Sequence, residues 1–506
     1  MTPDPNDDLD SRRRAVRAMG GAAKLQARRE RGILNARERI DLLCEAGTFS
    51  EIGEFAHSAR IEDKHRTPAD GIVTGFGKVD GRDIAVASFD LTTLGASSSV
   101  VNIRKLGFLK DSASRAGIPC AFLIESAGAR MPDIQGAVGM GRIGQLSGTR
   151  RDRDVPWVSA VLGPCYGMGT WYAVLSDFAV MRRDATFSVS SPKVTSVALS
   201  QEVTPEELGG SDLHADTTGQ IDLVTDTDAE AIEALRSFLA LMPSNHREPP
   251  PSRTPATVHP PEAIEALIPH ARNKIYDGRK LVELLADVGS VVPFRPRYGV
   301  TLETALARID GRTVGLIASN PRRKGGAIDG PSSNKMTEFI VLCDSFNIPL
   351  VLLADTPGFL IGLQAEREGV AGKIMNNLRA LALATVPKIA VVVRKSYGQA
   401  YLNLGGGLAD ALAVMTTGEV GFVDPSVAVS VVHNRRPQDG DSEYQALLQG
   451  MVVSNSPYEL AGIFAGHAVI KPGETRQWVS RMLDVYSRRL TGGIGQHRLS
   501  TWPTSL

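Results

Sequence analysis

Two stretches of the chain end an apolar run in Tyr-Gly and pass at once into a helical pattern. They are "VPWVSAVLGPCYGMGTWY", which contains Tyr166-Gly167, and "VPKIAVVVRKSYGQAY", which contains Tyr397-Gly398. At such a strand-to-helix junction the first backbone N–H groups of the helix have no intrahelical partner and lie at the positive end of its dipole. A preorganised pair of these donors can hold a developing oxyanion, and each donor removed costs about 3 to 4 kcal/mol of transition-state stabilisation. Because the chemistry comes from backbone, the side chains are free to differ, as "YGMG" differs from "YGQA". The residues alone leave a second reading open, a tight turn copied twice.

Side-chain catalysis has little support. No G-x-S-x-G elbow occurs, and Ser126 of "ESAGAR" has Thr356 of "DTPGF" as its twin, with no histidine at an equivalent place in both copies. The nine histidines form no H-x-x-x-H or H-E pair, and Cys44, Cys120, Cys165 and Cys343 form no C-x-x-C, so neither a metal site nor a disulfide framework is expected. "GMGRIG" at 139–144 fits G-x-G-x-x-G, but no strand leads into it and no acidic strand end follows, which excludes a dinucleotide site.

The elements that must position the two junctions are themselves written twice. "VDGRDIAVAS" returns as "IDGRTVGLIAS", with Asp80, Gly81 and Arg82 matching Asp310, Gly311 and Arg312, 230 residues later; Lys105 and Lys335 keep that spacing, and the Tyr-Gly stretches lie 231 apart. One long shared period means two copies of one domain, not a solenoid. Each copy reads strand, strand, helix, strand, loop, helix, strand. The helix "VNIRKLGFLKDSASRAG", with Ile103, Leu106, Lys110 and Ala113 at helical spacing, ends at Gly117 and its twin at Asn347, residues that accept the left-handed C-cap. "IPCAFLIES" and "IPLVLLAD" are apolar throughout, as strands covered on both faces are. Seven prolines from Pro243 to Pro261 mark the boundary, with units 1–245 and 262–506 joined by a linker, 246–261. A last amphipathic helix after "KPGE" sets Trp478, Met482, Val485 and Tyr486 on one stripe, and "GGAAKLQARRERGILNARERIDLL" predicts a basic helix with a solvated face.

Composition agrees with an ordinary soluble globular protein. Fifty-six basic residues balance fifty-six acidic ones, so nothing points to nucleic acid or an anionic membrane. The longest apolar stretch, "ALALATVPKIAVVV", is broken by Pro387 and Lys388, and the acidic start lacks the apolar core of a secretory signal. A cytoplasmic location is expected.

Taken together, the basic N-terminal stretch, "DGIVTGFGKVDGR", "ESAGAR", "GPCYG", "DFAVM", "EVTPEELGG", "CDSFNIPL", "DTPGFLIG" and "ATVPKIAVVVRKSYGQAY" resemble the carboxyltransferase β-subunit of biotin-dependent acyl-CoA carboxylases, propionyl-CoA carboxylase type, from about residue 20 to about 490. The resemblance implies an α/β fold of two tandem crotonase-like domains (spiral ββα), a homohexamer, and an active site where the N-domain of one protomer faces the C-domain of another. It implies that Gly167 and Met168 hold the thioester oxygen of a short acyl-CoA, with Ser126, Ala127, Gly128, Tyr166 and Leu402 around that substrate. It implies that Gln399 and Ala400 hold the ureido oxygen of biotin, with Gly398 and Gly358 beside them. In the family's reaction carboxybiotin releases CO2, the freed biotin nitrogen removes the α-proton and the enolate attacks CO2, with no side-chain base and no metal.

The chain has no A-M-K-M biotinylation motif and no ATP-binding glycine loop, so carboxybiotin must come on a separate biotin carboxylase or carrier subunit. Ala127, Met168 and Gln399 stand where the family has glycine. The same site would serve a decarboxylase or transcarboxylase complex, and the departures from glycine keep a non-catalytic acyl-CoA-binding paralogue in view.

Overall fold

Each half starts its sheet with a two-residue hairpin that its sequence dictates. Asp80 and Gly81 take φ of 49° and 74°, Asp310 and Gly311 50° and 77°, the left-handed pair whose twist matches that of the flanking strands. They join Ile72–Val79 to Arg82–Phe89 and Leu302–Ile309 to Arg312–Ser319, both antiparallel. The computed structural model describes residues 4–146, 151–254, 257–435, 442–488 and 493–503, and the chain divides into two units, Met1–His246 and Arg247–Leu506.

Beyond the hairpin each sheet grows in parallel. In the first unit Arg82–Phe89 is followed by Cys120–Ser126, Trp157–Tyr166, Phe178–Arg182 and Leu223–Thr225, while Ser50–Ile52 pairs antiparallel on the far side of the hairpin. In the second, Arg312–Ser319 is followed by Leu350–Thr356, Lys388–Tyr397, Ala411–Met415 and Ala468–Ile470, with Val292–Pro293 at the hairpin edge. Every residue of Cys120–Ser126 and of Leu350–Thr356 is buried. The crossover helices Val100–Ala116 and Gly330–Ser345 end as expected, with Gly117 at φ 68° and Asn347 at 60°.

One irregularity in each sheet sets up the junction. The register between Cys120–Ser126 and Trp157–Tyr166 slips between Ile124 and Ser126, and that between Leu350–Thr356 and Lys388–Tyr397 slips between Ala354 and Thr356. Past the slip the longer strand changes partner. Its first half pairs with Phe178–Arg182, and its last three residues pair with Thr186–Ser188. Lys388–Tyr397 passes likewise from Ala411–Met415 to Glu419–Gly421. A bulge sharpens the local twist, and the strand end is thereby lifted out of the main sheet with its tyrosine last.

Two expectations change. The basic N-terminal stretch forms two helices, Ala22–Glu30 and Ala36–Leu43, because Asn35 starts a new one with a capping box to Glu38. Its face is not all solvated: Arg39 is fully buried and Arg28 nearly so, both paired with Glu125. The last helix, Thr475–Tyr486, packs Trp478, Met482 and Tyr486 of the expected stripe against the core, but its most buried residues are Val479 and Leu483, and Val485 is 46% exposed. The proline-rich stretch is tied down by hydrogen bonds: Arg253 N–H donates to Gly311 O, Thr313 Oγ1 to Pro251 O, and Asn347 Nδ2 to Glu248 O.

Candidate active site

In the first unit, strand Trp157–Tyr166 runs into Gly167, whose φ of 60° and ψ of −127° only glycine adopts without strain. Helix Met168–Val174 follows with no side-chain cap. In the second unit Gly398 has φ 60° and ψ −145°, and helix Gln399–Asn403 is likewise uncapped. The N–H of Gly167 is not free: it donates to Val189 O at 3.2 Å, and that of Gly398 to Gly421 O at 2.9 Å. Each extends the strand's second ladder past its last pair, Tyr166 with Ser188 and Tyr397 with Gly421.

The unpartnered donors among the described residues are therefore Met168 and Gly169 in one unit and Gln399 and Ala400 in the other. Of the expected pair Gly167 and Met168, the Gly167 N–H is engaged in the ladder and the Met168 N–H has no partner among the described residues. The glycines at 167 and 398 make the turn, and the two residues after each carry N–H groups without a partner among the described residues.

The side chains that replace glycine do not obstruct these donors. Met168 packs against Ile103, Ile134 and Ile143, and Gln399 Nε2 donates back along its own helix to Asn403 Oδ1 at 3.3 Å. Neither residue has a positive φ. Tyr166 is half-buried beside Gly167, and burial raises its phenol pKa.

Facing each junction is a loop that leaves the preceding strand. Gly128, at φ 94°, lies where a side chain on Gly167 would touch its Cα at 3.8 Å; Gly358, at φ 123°, lies beside Tyr397 O. Both loops are held by an isolated parallel bridge, Ser98 to Ala129 and Ile328 to Phe359. In the first unit, Ala127 N–H donates to Gly95 O at 2.8 Å. Ser126 is fully buried, its hydroxyl donates to Ala96 O at 3.3 Å and it accepts Gly128 N–H at 3.1 Å. Thr356 accepts Gly358 N–H in the same way. Ala127 is exposed, and Leu402 is 38% exposed on its short helix.

Under each loop sits a buried carboxylate, and the two copies neutralise it differently. Glu125 Oε2 takes Arg39 Nη1 at 2.6 Å and Arg28 Nη2 at 2.7 Å, and Arg39 Nε pairs with Asp228 at 2.9 Å. Asp355 takes Arg394 Nε from the adjacent strand at 2.9 Å; burial raises its pKa and Arg394 opposes the shift. Next to the second junction, Tyr397 Oη donates to Glu419 at 2.8 Å and accepts from Arg272 at 3.0 Å. Burial is the main reason its pKa is raised, and the pairing with Glu419 adds to it.

No side chain here is set up as a nucleophile. Burial pushes the Cys165 thiol far above its ordinary range, and among the described residues no three His, Cys, Asp or Glu side chains meet where they could hold a metal ion. "GMGRIG" lies inside helix Gly136–Leu146. The sequence reading missed Gly169, Val189 and Gly421. The signal for Gly169 was present, since the 231-residue spacing of the twins sets Gln399 and Ala400 on Met168 and Gly169.

Known proteins agree with this architecture over almost the whole chain. Residues 27–493 match the carboxyl transferase domain model. The chain is 32% identical over 497 residues to the methylmalonyl-CoA carboxyltransferase 12S subunit of Propionibacterium freudenreichii subsp. shermanii, covering 96% of this chain and 94% of that one. It is 33% identical over 487 residues to the propionyl-CoA carboxylase carboxyltransferase subunit of Haloferax mediterranei, covering 93% of each. The solved transcarboxylase 12S structure, described as a hexamer with methylmalonyl-coenzyme A and methylmalonic acid bound, superposes with a TM-score of 0.90 at 31% identity, over 97% of this chain and 96% of that one. The fold is the tandem crotonase-like one that the resemblance implied. The chain belongs to the carboxyl transferase family, the enzyme family of the acyl-CoA carboxylase carboxyltransferase subunits.

Proposed function

We propose that this chain is the subunit that transfers a carboxyl group from carboxybiotin, carried on a separate chain, to the α-carbon of a short acyl-CoA. The observation that carries the reading is the pair of uncapped N–H groups after each Tyr-Gly junction. Met168 and Gly169 hold the thioester oxygen while it gains charge as an enolate, and Ala127, Gly128 and Tyr166 shape the approach to it. A backbone donor is already oriented before the charge develops, so it needs no reorganisation when the reaction occurs.

Gln399 and Ala400 fit the ureido oxygen of biotin, because two successive N–H groups at an uncapped helix start have no partner among the described residues and Gly358 beside them is partly exposed. When bound, carboxybiotin would supply the carboxyl group and a ring nitrogen able to take the α-proton, so this reading needs no side-chain base. Leu402, exposed on the same helix, offers an apolar contact to the acyl group. We assign the enzyme to a homohexamer in the cytoplasm, served by a biotin carboxylase or carrier subunit. The same geometry runs in reverse, and the similarity to a methylmalonyl-CoA carboxyltransferase keeps transcarboxylation beside carboxylation as the physiological direction.

The test is release of CO2 from malonyl-CoA or methylmalonyl-CoA by the purified protein with free biotin. Biotin-dependent turnover is expected. Intact CoA binding with no turnover of any carboxylated acyl-CoA would overturn the reading and identify a non-catalytic paralogue.

A further inference from the structure

The two junctions are alike in backbone and differ in what braces them. At the first, Met168 begins its helix and packs into the cluster of Ile103, Ile134 and Ile143. At the second, helix Gln399–Asn403 has only five residues, and a helix that short draws its stability from its surroundings. Its far end is tied by Asn403 Nδ2, which donates to Ile374 O at 3.0 Å and to Asn377 Oδ1 at 2.8 Å. Its near end starts with the polar Gln399, and there the bracing contacts are made by Tyr397, the residue before the turn.

Tyr397, Glu419 and Arg272 form a closed triangle. Tyr397 Oη donates to Glu419 Oε2 at 2.8 Å, Arg272 Nε pairs with Glu419 Oε1 at 2.7 Å, and Arg272 Nη2 donates to Tyr397 Oη at 3.0 Å. The same Nη2 reaches Asp424 Oδ2 at 3.2 Å, and Asp424 caps helix Pro425–His433 by accepting Ser426 N–H. Glu419 faces Lys395 in the strand's second ladder, as Thr186 faces Pro164 in the first unit. There the partner of the Tyr166 phenol is the neutral hydroxyl of Thr186, so the second junction carries a charged triangle where its twin carries a neutral pair. Arg272 is itself held from beneath. Its turn, closed by Lys274 N–H to Ala271 O at 3.1 Å, presents the carbonyls of Ala271 and Lys274 to Arg394 Nη1 at 3.3 and 2.6 Å. Arg394 Nε pairs with Asp355, under the loop that carries Gly358. One turn thus joins that loop, the strand end and the start of the next helix.

We propose that Arg272 is a positioning residue for the second donor pair. Through Tyr397 and Glu419 it fixes the strand end from which Gly398 turns, and so aims the Gln399 and Ala400 N–H groups at the ureido oxygen of biotin. The inference rests on the carboxyltransferase reading above. A forked, charge-assisted contact sets angle as well as distance, and a displacement of about 1 Å at a reacting centre costs about 100-fold in rate. Arg272 is partly exposed, so replacing it leaves the core intact.

The experiment compares wild type with Arg272→Met, Tyr397→Phe and the double variant in CO2 release from methylmalonyl-CoA with free biotin. Arg272→Met should lower kcat/KM for biotin at least about 10-fold while KM for methylmalonyl-CoA stays within about twofold. The double variant should lose no more than the worse single variant, because both substitutions break one contact. Losses that multiply, an equal effect on both substrates, or no effect overturn the proposal. Hydrogen exchange reads the same geometry without turnover. Amides of residues 396–403 should exchange faster in Arg272→Met, and those of residues 165–172 at the wild-type rate. Unchanged exchange at 396–403, or faster exchange in both segments, overturns the proposal. If wild type turns over no carboxylated thioester with biotin, the functional reading fails on its own, and the exchange rates still decide whether Arg272 fixes the junction.

Discussion

Gly167 and Gly398 show how much of this site is conformation and how little is side chain. Both sit at φ 60° with strongly negative ψ, and a Cβ on Gly398 would lie 3.1 Å from Phe422 O. Gly398→Ala should cost about 1 to 3 kcal/mol of stability and lower kcat as well, measurable by denaturant unfolding and steady-state kinetics. Wild-type stability and turnover would show that the junction tolerates a side chain. Met168 is the opposite case. Its side chain belongs to the cluster of Ile103, Ile134 and Ile143, so Met168→Ala should lower stability by about 1 to 3 kcal/mol through lost packing and leave kcat within a few-fold. A large kcat gain in that variant would show that the methionine obstructs the donors.

The elements that carry the junctions are held by buried charges, and these can be tested separately. Glu125 and Arg39 lie 86 residues apart in sequence and are both almost wholly buried. Removing one partner strands the other charge, so Arg39→Ala should cost about 3 to 5 kcal/mol in chemical denaturation. A loss below 1 kcal/mol would show that water reaches Glu125.

The duplicated lysine gives a pH test. Lys335 Nζ is fully buried against the carbonyls of Leu302, at 2.6 Å, and Arg295, at 3.3 Å, and burial lowers its pKa to about 7. Unfolded lysine titrates near about 10.4, so between these values the unfolded chain binds more protons and folding stability rises with pH, by up to about 1.4 kcal/mol per unit. The penalty is complete below about pH 7. Lys335→Met should remove this component, so the stability difference, wild type minus variant, should grow from pH 7 to 9. Parallel stability curves would contradict the assignment.

At the scale of the whole molecule, the sequence disclosed what is local and repeated. The Gly117 and Asn347 caps and the Tyr-Gly junctions each depend on a residue type with a special backbone conformation, and each is written twice. What escaped it depends on partners distant in the chain. Arg28 and Arg39 read as solvated cations because nothing near them reveals Glu125 or Asp228. Gly167 read as a donor because the continuation of its ladder to Val189 is a tertiary fact. The resemblance set Ser126 beside the substrate; a strand-end serine shows no direction in sequence, and its bond from Gly128 N–H beneath the loop is visible only in the fold.

The central claim is that backbone N–H groups, not side chains, perform the chemistry, and Ala400→Pro tests it most directly. Ala400 is the second residue of its helix, where proline fits the backbone and removes only an N–H that has no partner among the described residues. In biotin-dependent CO2 release from methylmalonyl-CoA, the variant should lose at least about 100-fold in kcat, with fold and CoA affinity retained. Turnover near that of wild type would contradict the account.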